Sequence, residues 1–243
     1  MSVQRCVVVL GLFAVDVLGG CASDLPVYPA MSDAEALATI ADRQGLVRSI
    51  SAECDLDLTD AQGQRVRLEG VLVAEPPGKM RLRAWKLGHA VFDLTLADGK
   101  AWVIVPSEGP GADRLDTAKI PAWRVSEAID LLGPAYFRTA RRSGGDKRTL
   151  LARGPAFGQD DVVCEIERLT LTPRRFIVGS DRTSLASELL LDDYTLVGNL
   201  VWPMHIRLRG ASGEMLIRIH ELELNGDVPA GAFIPPSRAK ALP

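Results

Sequence analysis

Rings are scarce in this 243-residue chain: Phe, Trp and Tyr supply only 5% of it, too few to build the stacking surfaces that flat ligands need. Histidine is scarcer still. His89, His205 and His220 have no Ser or Cys beside them in an activating motif, and no GxSxG, HExxH or P-loop pattern occurs. The sequence therefore gives no reason to expect an enzyme, a metal or a cofactor. Positive charge is not in excess: 28 Lys and Arg face 31 Asp and Glu, a net charge of -3, so no basic field exists to displace counterions from nucleic acid. Cys-x-x-Cys pairs, internal repeats and low-complexity tracts are absent. No apolar run reaches the roughly 20 residues that span a bilayer as a helix. What remains, 47% hydrophobic and 24% charged, is the composition of a folded globular protein, and the length fits one domain.

The N-terminus reads as an address. Arg5 is the only charge ahead of a mostly apolar run of 13 residues, Cys6 to Leu18. Leu18-Gly19-Gly20-Cys21 follows and resembles the bacterial lipoprotein signal, in which cleavage precedes the cysteine and its thiol and new amine are acylated. On that reading residues 1–20 are signal peptide, Cys21 is the lipid attachment site, and 21–31, with Pro26 and Pro29, form a tether. Acyl chains contribute about 0.8 kcal/mol per buried CH₂, so several of them hold a domain at a membrane without a spanning helix. An ordinary secretory signal or a buried N-terminal strand are the alternatives, and Asp16 argues against the lipoprotein reading because a carboxylate inside the apolar run is costly. Asp does not directly follow Cys21, which favours the outer membrane, with the domain facing the periplasm. In that oxidising space Cys54 and Cys164 are either one disulfide or two buried thiols.

Residues 32–238 make up the domain, with 239–243 as a tail and Pro235 to Pro243 expected to fray. Ser32-Asp33-Ala34-Glu35 is a capping box opening a helix over about 32–44, with Ala34, Leu37, Ala38 and Ala41 spaced along one face and Gly45 ending it. A meander follows. Ile50, Ala52, Cys54, Leu56 and Leu58 alternate with polar residues; so do Val66, Leu68, Gly70, Leu72 and Ala74; then Met80, Leu82 and Ala84; then Phe92, Leu94 and Leu96. Asp98-Gly99 is a hairpin signal before Trp102-Val103-Ile104-Val105. After a loop over 106–121, Val125, Ala128, Ile129 and Leu132 have helical spacing, Tyr136 and Phe137 continue into a second short helix, and Ser143 to Asp146 turn the chain back. Further strands are predicted at Lys147–Ala152, Val162–Leu171, Arg175–Val178, Leu185–Leu191, Tyr194–Leu200, Pro203–Arg209 and Glu214–Leu224. The fold class is mainly β, an antiparallel sheet of about 10 to 12 strands with a few helices.

So large a sheet with one apolar face must curl or find a partner, and two or three helices supply too little area to cover it. An aliphatic cavity is one outcome and a filled core the other. Asp160-Asp161 and Asp192-Asp193 could face a cation, though acidic loop pairs are commonly just solvated. Arg141-Arg142 and Arg174-Arg175 could touch anionic head groups or simply stand at strand and helix ends.

Two stretches carry a family likeness. Pro77-Gly78-Lys79-Met80-Arg81-Leu82-Arg83, Leu87-Gly88, Phe92-Asp93-Leu94-Thr95-Leu96 and Asp98-Gly99 occur in that order. Trp202-Pro203-Met204-His205-Ile206-Arg207-Leu208, Leu222-Glu223-Leu224-Asn225-Gly226 and Phe233-Ile234-Pro235-Pro236 follow near the end. Together, over about residues 32–238, they resemble the LolA/LolB-like lipoprotein-carrier superfamily. The resemblance implies an incomplete antiparallel β-barrel with a helical lid, whose hollow binds acyl chains of lipids or lipoproteins for sorting or transfer to the outer membrane, without chemistry. It also implies a soluble periplasmic carrier as a partner of the anchored member. Expected lining residues are Leu56, Leu68, Leu72, Leu82, Phe92, Leu94 and Leu96, with Ile129 and Leu132 from the lid. Leu87 falls where the family's anchored receptor carries a leucine on a projecting loop, with Lys86 in place of that pattern's proline. A structural or signalling envelope lipoprotein with the same fold and no cargo is the other reading.

Overall fold

The computed structural model describes residues 25–104, 122–156, 159–179 and 187–241. The signal segment, Cys21, the loop over 106–121 and Leu185 lie outside the described residues.

α1 (Asp33–Gln44) starts at the expected capping box: Glu35 N donates to Ser32 Oγ at 3.3 Å, and Ser32 N donates to Glu35 Oε2 at 2.9 Å. The Ser32 backbone N–H first, and then the Ser32 hydroxyl, donate to the Glu35 carboxylate and hold its carboxyl below its usual range. The buried face is Ala36, Leu37, Ile40 and Ala41. Ala34 and Ala38, expected on that face, are exposed. The larger Ile40 side chain, rather than the alanines, sets how the helix rolls onto its neighbours.

The first hairpins are β1 (Ile50–Asp60), β2 (Arg65–Glu75), β3 (Lys79–Lys86), β4 (His89–Ala97) and β5 (Lys100–Ile104). α2 (Ala122–Leu131) and α3 (Pro134–Thr139) follow, then β6 (Arg141–Gly145), β7 (Thr149–Ala156), β8 (Gln159–Glu167), β9 (Thr172–Val178), β10 (Ser187–Val197), β11 (Leu200–Gly210), β12 (Gly213–Leu224) and β13 (Lys240–Ala241). All thirteen strands form one antiparallel sheet, ordered β13-β5-β4-β3-β2-β1-β12-β11-β10-β9-β8-β7-β6, which does not close on itself. Mainly β with a few helices, as an incomplete barrel, is therefore the fold. β1 sits at the middle, paired with β2 on one side and along Ile50–Asp60 with the chain-distant β12 on the other. The helical segment runs between β5 and β6, which lie towards opposite margins of the sheet, so the chain must carry its helices across the open side.

Beyond shifts of a few residues at strand ends, the structure departs from the sequence reading in four places. The strands expected at Leu185–Leu191 and Tyr194–Leu200 fall, as far as they are described, into one strand, β10 (Ser187–Val197): the Asp192-Asp193 pair is a local kink with Asp193 at φ +51°, and the real turn is Gly198-Asn199. Ser143 to Gly145, expected as a turn, belong to β6 and pair with β7 across a bulge. The strand from Val162 stops at Glu167, and Arg168 to Leu171 make the hairpin turn. As far as Ala241 the tail does not fray: Lys240 pairs with Val103 and Ala241 with Trp102, adding β13 outside β5. Gly213 is the residue at which β12 meets β1. Its φ is +134°, and a Cβ there would sit 2.1 Å from the Thr59 carbonyl oxygen, so only glycine fits.

The inward face is packed. Cys54, Leu56, Leu68, Leu72, Met80, Leu82, Phe92 and Leu94 on one half, and Leu150, Val162, Cys164, Ile166, Phe176 and Ile217 on the other, are at most 3% exposed. Tyr136 and Phe137 of α3 reach into this core. Each meets Phe176 edge-on, Tyr136 with ring centroids 5.3 Å apart and Phe137 with 6.2 Å. The outward face is laced by ion pairs: Asp57 with Arg65 and Arg218, Asp55 with Arg67 and His220, Asp93 with Arg81 and Arg83. The carboxylates of these pairs are largely buried, Asp57 at 5% exposure, while most of the basic partners reach towards solvent.

Candidate functional site

The helices do not seal flush against the sheet. A cleft of about 770 Å³ opens at the seam where the α2–α3 junction, the end of α1, the Pro76-Pro77 turn and Trp202 of β11 meet. Gly133 at the junction provides the extended N-cap of α3, and Pro134 takes its first turn, where no N–H is needed. That break puts Ile129, Leu131 and Leu132 on one wall and Tyr136 on the next. The volume falls within the ~300–1,000 Å³ of pockets that enclose a small ligand.

Two bonds hold the lid over this cleft. Gly78 N donates to Asp130 Oδ1 at 3.2 Å, tying α2 to the β2–β3 turn. Burial pushes the Asp130 carboxyl above its usual range, and the Gly78 N–H partly opposes that shift. Tyr136 Oη lies 3.0 Å from both the Ala152 and the Val162 carbonyl oxygens and donates to that pair, pinning α3 to β7 and β8. Burial pushes the Tyr136 phenol well up.

Of the nine residues expected to line a hollow, Ile129 and Leu132 line the cleft. Leu56, Leu68, Leu72, Leu82, Phe92 and Leu94 are 2% exposed or less and fill the core beneath it, and Leu96 is half-buried against that core. Trp202, Gln44, Val47 and the Pro76-Pro77 pair line the cleft without having been expected to. Their only sequence signals were a Trp-Pro step in a strand and a glutamine just before a helix-ending glycine.

Leu87 stands on the two-residue turn Leu87-Gly88 between β3 and β4 and is 80% exposed, with a φ of +51°. Such turns need positive φ at both positions and favour Asn or Asp at the first. The Asp98-Gly99 turn follows that preference and Leu87 departs from it.

Cys54 and Cys164 are free thiols, not a disulfide. β1 and β8 are separated by β12, β11, β10 and β9 in the sheet. Burial, then Asp55 and Glu53, pushes the Cys54 thiol up to about 12, and burial pushes Cys164 well up, so both are unreactive. Asp161 pairs with Arg153, Asp192 with Arg174 and Asp193 with His205, while Arg142 pairs with Asp33 and Arg175 with Glu188. Arg141 Nη1 donates to the Thr139 and Ala140 carbonyls beyond α3. No group of three or more His, Cys, Asp or Glu among the described residues could hold a metal ion. None of the three histidines lines the cleft.

The open antiparallel half-barrel with helices on its concave side has counterparts among solved structures. Three solved structures share it with this chain. A DUF1329 family protein from Desulfovibrio piger superposes with a TM-score of 0.61 at 12% identity, over 82% of this chain and 95% of its own. A LolA superfamily protein from Nitrosomonas europaea gives 0.55 at 12% identity, over 81% and 96%. A domain named for outer-membrane lipoprotein sorting, from Vibrio parahaemolyticus, gives 0.51 at 9% identity, over 83% and 95%. No protein-family profile and no curated protein matches the sequence.

Proposed function

We propose that this protein is an acyl-chain-binding lipoprotein of the cell envelope. It is anchored through Cys21 at the outer membrane, faces the periplasm, and works in the sorting or transfer of lipoproteins by binding alone, with no bond made or broken. The observation that carries this reading is the apolar cleft of about 770 Å³ under a helical lid. Fold neighbours that include a domain named for outer-membrane lipoprotein sorting support it. Each methylene moved from water into such a site gains about 0.8 kcal/mol. Release then needs only lid movement and a better site downstream, and intake a soluble periplasmic carrier upstream. Leu87 is the contact with membrane or cargo: a leucine held in a left-handed turn and almost fully in water has a cost with no return inside the domain itself.

The filled inner wall, from Leu56 to Leu94, favours a second reading, a structural or signalling envelope lipoprotein without cargo. Mass spectrometry of the protein purified under native conditions separates the two. Copurifying acyl lipid is expected, and a lipid-free protein that takes up no acyl probe overturns the first reading. Fractionating cells that carry Cys21→Ser should move the protein from the membrane to the soluble fraction; an unmoved protein refutes the anchor. Leu87→Glu should block transfer while leaving the unfolding midpoint unchanged, and transfer at the original rate refutes the role of that turn.

A further inference from the structure

The segment ahead of α1 is fastened to the sheet before the helix begins. Tyr28 N donates to the Leu169 carbonyl at 2.8 Å, Tyr28 Oη accepts from Arg43 Nη1 at 3.5 Å, and the Tyr28 side chain packs half-buried against the core. Arg43 Nη2 in turn donates to the Leu171 carbonyl at 2.6 Å, so α1 and the segment before it both hold the β8–β9 turn. Four steps of chain lead from Cys21 to Leu25 and seven to Tyr28, spans of at most about 14 Å and about 25 Å. Whatever holds Cys21 therefore keeps this corner of the sheet within that reach.

The strand register says which corner it is. Followed from strand to strand, the ladders put the β6–β7 and β8–β9 turns at the end of the sheet where β1 starts and β2 ends, and the Leu87-Gly88 turn at the opposite end. β3 alone, eight residues at about 3.3 Å each, puts roughly 26 Å between those ends. The corner that holds Tyr28 is both basic and apolar. A groove of about 990 Å³ there is lined by four basic residues, Arg142, Lys147, Arg148 and Arg168, against two acidic ones, Asp146 and Glu167, in a chain whose net charge is -3. Lys147 and Arg148 are exposed on the β6–β7 turn, Leu169 of the same lining is 54% exposed, and Val27, next to Tyr28, is 67% exposed.

Resting on the anchored-lipoprotein reading and giving it an orientation, we propose that this corner docks on the bilayer that holds Cys21, at anionic phospholipid. The acyl chains supply attachment, Lys147 and Arg148 face lipid phosphates, and Leu169 enters the interface between head groups and chains. A bilayer rather than a protein is the occupant, because the reach of at most about 25 Å is less than the ~30 Å diameter of a small domain. Leu87 then points away from the anchoring bilayer, which leaves it to an incoming carrier or cargo.

The test is quenching of a thiol-linked fluorophore by nitroxide-headgroup lipid, in the full acylated chain reconstituted into phosphatidylcholine vesicles with and without phosphatidylglycerol. The label goes on Leu169→Cys in one sample and on Leu87→Cys in another, both exposed positions, while Cys54 and Cys164 are buried. With phosphatidylglycerol present, the label at position 169 should be quenched and the label at position 87 should keep its full intensity. Lys147→Gln combined with Arg148→Gln keeps the backbone of the turn and should lower the ratio of docked to undocked protein roughly fivefold for each charge removed. Leaving out phosphatidylglycerol should lower the same ratio. Equal quenching at the two positions, stronger quenching at position 87, or quenching at position 169 that ignores both changes of charge overturns this orientation and leaves the anchor standing. A chain that does not float with the vesicles at all overturns anchor and orientation together.

Discussion

Tyr136→Phe probes the joint between lid and sheet with a single atom. The hydroxyl lies 3.0 Å from two carbonyl oxygens, one on β7 and one on β8, while the ring packs at 5.3 Å against both Phe137 and Phe176. Phenylalanine keeps the ring contacts and removes only the donor shared by those carbonyls. Leaving buried acceptors short of a partner costs roughly 1–3 kcal/mol. In a domain of this length each kcal/mol corresponds to about 2–4 °C, so a loss of around 2 kcal/mol lowers Tm by about 4–8 °C. Tyr136→Ala also gives up the ring and should cost about 3–5 kcal/mol. Urea unfolding of the two variants beside the parent, with equal m values, is the measurement. Hydrogen exchange over 134–139 should quicken in Tyr136→Phe, because α3 is then held by packing alone. An unchanged midpoint for Tyr136→Phe, or one as low as that of Tyr136→Ala, refutes the assignment of the hydroxyl as the pin.

Three further outcomes follow from described contacts. Burial raises the folded-state pKa of Asp130 above its unfolded value, so the folded chain holds that proton more tightly and its contribution is full at low pH. That stability is lost as pH rises through the raised value; Asp130→Asn should flatten the loss, seen as a smaller fall in urea midpoint between about pH 4 and about pH 7. Ser32→Ala removes the acceptor for the Glu35 N–H and should cost about 1 kcal/mol in the same assay. Gly213→Ala drives a Cβ into the Thr59 carbonyl where β12 meets β1, and should cost about 3 kcal/mol or more, read as poor folding yield or a lowered Tm.

Period-two alternation from Ile50 to Leu96 was enough to place the first four strands and the face each buries, since each has a single wet side. It failed where polar residues occur inside a strand. Asp192-Asp193 looks like a turn and is a kink that β10 survives, because its ladder with β11 continues on both sides, Asp192 opposite His205 and Tyr194 opposite Pro203. The cleft was less legible than the sheet. Alternation tells which side chains point inward, not whether others already fill the space, so Leu56 and Leu82 were expected at a wall and lie in the core. Gln44 and Trp202 share the cleft lining only because α1 and β11 meet across 158 positions of chain, a contact no local pattern announces.

The margins of the open sheet carry a consequence for life at high concentration. On one side β13 covers β5 with just two residues, and the same C-terminal segment is fastened where Arg81 Nη1 donates to the Ala232 carbonyl. On the other, β6 is five residues long, bulged, and carries Arg141 and Arg142. Neither border offers a long, flat ladder of bare amides on which another molecule could grow by strand addition. A barrel left unclosed is in this way kept from seeding a fibre.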